Sequence, residues 1–74
     1  MANSTFLEQV APEVEALQAT YADAPLHVPL QAMRDAVKDL IAMRYSGYDG
    51  ARQLLIKIAA LAALVAEKLE QGNG

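Results

Sequence analysis

The side chains most capable of chemistry are few in this chain, and they lie far apart in sequence. His27 is the only histidine, and the carboxylate nearest to it in sequence is Asp23. Acid–base catalysis requires a second, activated group beside such a histidine. Glu13 and Glu15 lie two residues apart, so on a helix they point in different directions. We therefore interpret His27 as a polar residue of a proline-flanked loop.

Other reactive patterns are missing as well. The chain contains no cysteine, which excludes disulfides and thiolate metal sites. Gly47 and Gly50 do not match a phosphate-binding loop, and Ser46 has no Ser–His–Asp context. Asp35 and Asp39 share a helix face with basic neighbours, which is typical of a solvated surface. The sequence predicts no enzyme activity, no metal and no cofactor.

The charge balance narrows the range of partners. The formal net charge is -3 and the pI is about 4.8, with the six basic residues dispersed over 34–68. This balance argues against nucleic acid and anionic membranes as partners. The N-terminal residues do not resemble a secretory signal. The longest uncharged run of the C-terminal segment, 58–66, is too short to span a bilayer. We expect a cytoplasmic protein.

The composition and periodicity predict an all-α fold. Apolar residues make up 54 % of the chain, and fifteen residues are alanine, a strong helix former. The apolar spacing predicts helices at about 5–22, 29–45 and 49–70 in a single domain, 1–74. We expect a three-helix bundle in which the first two helices form a hairpin against the long third helix.

Local signals suggest where the first two helices begin. Thr5 and Glu8 match a capping box, which predicts a helix start near Phe6. Pro12 lies inside the apolar stripe of helix 1, so we predict one kinked helix. The alternative is a short turn followed by a helix that starts at Pro12. Pro29 suits the first position of helix 2.

A glycine-containing turn is predicted between helices 2 and 3. Gly47 suits a left-handed residue after a helix end. Either Ser46 or Asp49 can cap helix 3, and the sequence does not choose between them. Tyr45 and Tyr48 flank the glycine. Because tyrosine is enriched at binding interfaces, these two residues are our second choice for a partner-contact site.

The apolar stripes predict which side of each helix is buried. For helix 2 the predicted buried residues are Leu30, Met33, Val37, Leu40 and Ile41. For helix 3 they are Leu54, Leu55, Ile58, Leu61, Ala62, Val65 and Leu69, and we expect Leu61 to be central. Four further apolar residues of helix 3 fall among its polar positions, namely Ile56, Ala60, Ala63 and Leu64.

These four residues allow two interpretations. Either helix 3 is the central helix of a small bundle and is buried on more than one side, or the four residues form an exposed partner-binding surface. We expect a homodimer that packs through this surface. The chain resembles no family known to us. We therefore predict a small protein–protein interaction module, such as an adaptor, chaperone-like or inhibitor subunit. The alternative is a helical DNA-binding regulator. Helix 3 offers Arg52, Gln53 and Lys57 to DNA before its apolar body begins.

Overall fold

The computed structural model describes residues 4–71, and these form three α-helices and one short 3-10 helix. Helix α1 spans Ser4–Thr20, α2 spans His27–Ala42, and α3 spans Ala51–Glu70. The 3-10 helix, Met43–Tyr45, directly follows α2. The predicted all-α fold with three helices is confirmed, although the helix ends differ from the predicted ones by a few residues.

Helix α1 runs without interruption through Pro12. The predicted continuous helix is therefore confirmed, and the alternative start at Pro12 is wrong. Ser4 and Thr5 are already helical, so the predicted cap at Thr5 is wrong. Helix α1 begins within two residues of the predicted start near Phe6. Pro12 is exposed, which lets its ring avoid the core.

A short turn joins α1 to α2. The Tyr21 amide donates to the Leu17 carbonyl, and the Ala24 amide donates to the Tyr21 carbonyl, so the chain leaves α1 gradually. Helix α2 starts two residues before the predicted position, and His27 belongs to its first turn instead of a loop. Pro29 also lies in this first turn, where its missing N–H costs nothing, and it is fully buried.

Three residues with positive φ reverse the chain between α2 and α3. These are Gly47 at 78°, Tyr48 at 62° and Gly50 at 82°. The left-handed conformation predicted for Gly47 is confirmed. The residue that precedes α3 is Gly50, and no side chain caps this helix. The predicted caps at Ser46 and Asp49 are therefore wrong, and the Ser46 hydroxyl donates instead to the Met43 carbonyl.

Helices α1 and α2 each pack on α3, and these are the two extensive helix contacts of the described residues. Helix α1 runs parallel to α3. Its early residue Gln9 meets Arg52 at the start of α3, and its late residue Gln18 donates a hydrogen bond to Glu67 near the end.

Helix α2 runs antiparallel to α3. The Lys68 ammonium group, near the end of α3, donates to the Ala24 carbonyl just before α2. At the opposite end, Met43 approaches Gly50, where α3 begins. Helix α3 therefore has one neighbour running each way.

The core lies where both neighbours meet the second half of α3. Its buried residues are Leu17, Ala60, Leu61 and Leu64. The half-buried residues packed against them come from α1, the following turn and α2, namely Val10, Val14, Tyr21, Ala32 and Met33. The molecule measures 39 × 30 × 17 Å.

Candidate functional site

The side chains that could do chemistry stay dispersed in the folded chain. His27 is exposed at the start of α2. Within residues 4–71, no three histidine or acidic side chains come together as metal ligands. No helix in the described part of the chain is both long and apolar enough to cross a membrane.

Two open clefts flank Lys68 near the end of α3. The smaller, of about 230 Å³, is lined by Gln18, Ala22, Leu64, Glu67, Lys68 and Gln71. The larger, of about 500 Å³, is lined by Ala22, Ala24, Pro25, Leu26, Lys68, Leu69 and Gln71. Glu67 is the only acid in either wall, and it already accepts a hydrogen bond from Gln18.

The expected exposure of Ile56, Ala60, Ala63 and Leu64 is wrong, and the alternative of a central helix that is buried on more than one side is the one observed. Ile56, Ala60 and Leu64 are buried, with exposed fractions of 6 %, 0 % and 4 %, and Ala63 is half-buried. Ala60 and Leu64 belong to the core that α1 and α2 cover. The physical reason is that two helices pack on α3 from different directions, so its covered arc extends well beyond the main apolar stripe. These side chains are not available to a partner in this fold.

Tyr45 and Tyr48, the second predicted contact site, do lie on the surface. Their exposed fractions are 82 % and 54 %. The Arg44 guanidinium lies 4.9 Å from the centre of the Tyr45 ring and donates to its hydroxyl oxygen at 2.8 Å. The Tyr45 side chain and the Arg44 guanidinium are therefore already joined by a hydrogen bond and a cation–π contact. Whether this turn contacts a partner stays a prediction.

The open side of α3 is apolar, and it is not the side that the sequence indicated. It consists of Leu55, Ala59, Ala62, Ala66 and Leu69. Ala62 and Ala66 are exposed, Ala59 is half-buried, and the two leucines expose 44 % and 53 % of their surface. The predicted burial of Leu55, Ala62 and Leu69 is therefore wrong. Leu61, in contrast, is fully buried at the centre of the core, as predicted.

Helix α2 also leaves part of its predicted core stripe uncovered. Leu30, Val37 and Ile41 were expected to be buried, but they are exposed. The buried residues of α2 are Pro29 and Ala36. Because α3 is the main neighbour of α2, only a narrow strip around these two residues is covered.

The exposed apolar residues of α2 and α3 lie on one side of the molecule. On α2, Val37 and Leu30 lie about 100–120° around the helix from buried Ala36. On α3, Ala62 lies about 100° in the same sense from buried Leu61. Because the two helices are antiparallel, side chains that lie at the same angle from the α2–α3 contact face the same side of both helices. We call this surface the α2–α3 face, and it comprises Leu30, Val37, Ile41, Leu55, Ala59, Ala62, Ala66 and Leu69.

The α3 part of this face has a regular pattern that the sequence analysis missed. Its five residues follow spacings of 4, 3, 4 and 3, which is the spacing of a coiled-coil seam. This periodicity could have identified the exposed seam from the sequence. It was difficult to recognise because the buried residues of α3 form a second and wider apolar arc. Arg52 and Glu70 flank the seam at its two ends.

Comparison with models of known protein families gave no match, and comparisons with curated proteins and with solved structures gave none either. The geometry of the described residues therefore carries the functional argument.

Proposed function

We propose that this chain is a small non-enzymatic protein–protein interaction module that binds helices through its α2–α3 face. An adaptor, a chaperone-like protein or an inhibitor subunit would act in this way. The observation that supports the proposal is that several exposed apolar residues of two packed helices face the same side of the molecule. Large exposed apolar surfaces on small proteins mark contact sites, whereas single exposed leucines do not.

The shape of the face suits a helix as its ligand. The α3 seam has small side chains at its centre, Ala59, Ala62 and Ala66, between Leu55 and Leu69. A partner helix can approach closely along such small residues, and its own apolar stripe can cover the leucines. Helices that lie in apolar grooves are a common mode of protein recognition.

The dimensions of the face fit a specific interface. Helix α3 has 20 residues, which makes it about 30 Å long. Two packed helices are about 20 Å wide, so the face covers on the order of 600 Å² in projection. A stable complex buries about 800 Å² of accessible surface per partner, and accessible surface exceeds projected area. The face is therefore large enough to hold a partner.

The DNA-binding alternative gains no support from this geometry. Arg52, Gln53 and Lys57 are exposed, but they occupy only the first two turns of α3. A recognition helix offers such side chains along the edge that enters the groove. The most regular exposed strip of α3 is apolar instead.

A capture experiment with one matched pair of variants tests the proposal. Ala62 and Ala16 are both exposed alanines inside helices, so glutamate is tolerated by the fold at both positions. Ala62 lies at the centre of the α2–α3 face, and Ala16 lies on α1. The immobilised wild-type chain, Ala62→Glu and Ala16→Glu are each exposed to a cell lysate, and the bound proteins, including this chain itself, are quantified by mass spectrometry.

We expect wild type and Ala16→Glu to capture the same partner and Ala62→Glu to lose at least about 90 % of it, because the glutamate carboxylate would be desolvated in the interface. Equal capture by all three forms would overturn the proposal. A native gel shift at moderate salt tests the alternative class, and retardation of DNA by wild type would favour the regulator.

A further inference from the structure

We infer that the α2–α3 face binds a second copy of this chain, with the two α3 helices antiparallel about a two-fold axis. This inference rests on the proposed function and identifies the partner. It keeps the predicted homodimer but moves its interface to the opposite side of α3. The size pattern of the seam and the charges at its ends favour this occupant and this orientation.

The size pattern of the seam is complementary to itself over residues 55–66 when it is reversed. In an antiparallel pair, Leu55 lies opposite Ala66 of the second copy, and Ala59 lies opposite Ala62, so a large side chain meets a small one there. Leu69 lies at the level of Arg52 of the second copy. In a parallel pair, leucine would meet leucine at both ends. The helices would then stand apart at the alanines, which would lose their contacts.

The charges at the ends of the seam favour the same orientation. Arg52 and Glu70 lie at the same angle around α3 and are separated by five turns. In the antiparallel arrangement, Arg52 of one copy lies within one residue of the height of Glu70 of the other copy along the helix axis. The two-fold axis creates this pair twice in the dimer. A parallel arrangement would place arginine beside arginine and glutamate beside glutamate. Arg52 also contacts Gln9 and lies 5.7 Å from the centre of the Phe6 ring, which holds it beside the seam.

Sedimentation equilibrium of the purified chain tests the association. We expect wild type and Ala16→Glu to be dimeric at tens of micromolar, and Ala62→Glu to dissociate at least about tenfold more readily. Circular dichroism serves as the check that each variant is folded. A monomeric wild type would overturn the second copy as the partner. A dimer that Ala62→Glu leaves unchanged would also overturn the inference, because the interface would lie elsewhere.

A charge exchange tests the antiparallel orientation. Arg52→Glu and Glu70→Arg should each weaken the dimer by roughly three- to tenfold, since exposed pairs contribute modestly. Mixing these two variants should restore association, because both ion pairs form again in the mixed dimer. The double variant Arg52→Glu/Glu70→Arg should also dimerise like wild type. A mixture no tighter than the separate variants would overturn the antiparallel arrangement.

The two proposals fail in different ways. If wild type is monomeric but captures a foreign protein that Ala62→Glu loses, the second copy is overturned and the proposed function stands. If wild type is monomeric and captures nothing through this face, both are overturned.

Discussion

The two apolar sides of α3 have similar compositions, but neighbouring helices bury only one of them. Ala60 is completely buried, whereas Ala62, only two residues later, is exposed. Leu64 exposes 4 % of its surface and Leu69 exposes 53 %. Each side contains alanines and leucines. An apolar side chain on a helix thus reports that some neighbour is favourable there, but not whether this chain supplies it.

The small number of helices in this fold explains the difference in burial. A helix that is apolar over most of its circumference needs neighbours in several directions. Helix α3 has two, and both pack on it while having little contact with each other. The arc that they leave open is the seam from Leu55 to Leu69. Substitutions on the covered side should therefore change the stability of the fold, and substitutions on the open side should change association.

The largest effect is expected for Leu61→Ala. Leu61 is fully buried and belongs to the central cluster, so its truncation leaves a cavity. We expect a loss of about 2–5 kcal/mol in the free energy of unfolding, which can unfold a domain of this size. Thermal melts followed by circular dichroism provide the measurement. The control is Leu69→Ala, which should cost less than about 1 kcal/mol at concentrations where the chain is monomeric. Equal losses would contradict the assignment of the covered side.

Two Ala→Leu substitutions, one on each side of α3, test the same difference in burial. Ala60→Leu forces three extra carbons into the packed core and should lower the free energy of unfolding by about 1–3 kcal/mol. Ala62→Leu adds the same atoms on the open side, where they meet solvent, and should be nearly neutral. Chemical denaturation at low protein concentration checks both. A tolerated Ala60→Leu would show that the space between the helices is looser than the structure indicates.

Pro12→Ala tests the helix that covers one side of α3. Pro12 lies inside α1 and is exposed, so alanine restores a backbone donor and removes a clash without disturbing the core. We expect the free energy of unfolding to rise by about 1–3 kcal/mol. The melting temperature is the measurement, and Ala11→Ser serves as an exposed neighbouring control. A lower melting temperature would indicate that Pro12 marks the start of a helix.

The smallest effect is expected at the turn that sets the direction of α3. Tyr48 has a φ of 62°, a conformation that costs a side-chain-bearing residue about 1–2 kcal/mol and costs glycine almost nothing. Tyr48→Gly should therefore stabilise the chain by about 0.5–1 kcal/mol, after the entropy cost of glycine. Tyr45→Gly, which replaces a residue without positive φ, should instead destabilise it. Denaturant midpoints distinguish the two, and a loss at Tyr48 would mean that its ring contributes more than its backbone strain.

Much of the local structure could be predicted from the residues alone. The three helices, the continuity of α1 through Pro12 and the left-handed Gly47 follow from short-range periodicity and backbone preference. The caps at Thr5, Ser46 and Asp49 could not, because a cap requires a particular backbone geometry that the side-chain type does not impose. Helix α3 starts after Gly50 with no side-chain cap at all.

An exposed apolar surface on α3 was predicted, but the structure exposes other residues than the predicted ones. The sequence indicated an apolar surface on α3 beyond what the core requires, and it selected Ile56, Ala60, Ala63 and Leu64. The angular pattern around α3 was available from the sequence, but the direction from which α1 approaches was not. That direction depends on the path of the turn after Leu17 and on long-range contacts such as the one between Gln18 and Glu67.

The sequence by itself determined the helices, their amphipathic character and the central position of Leu61, because these properties arise from neighbouring residues along one chain. Only the tertiary structure decided which of the two apolar arcs of α3 is covered. The free energy of burying either arc is similar per unit area. The choice between them depends on where two connected helices can lie, and the turns at 21–26 and 46–50 fix those positions.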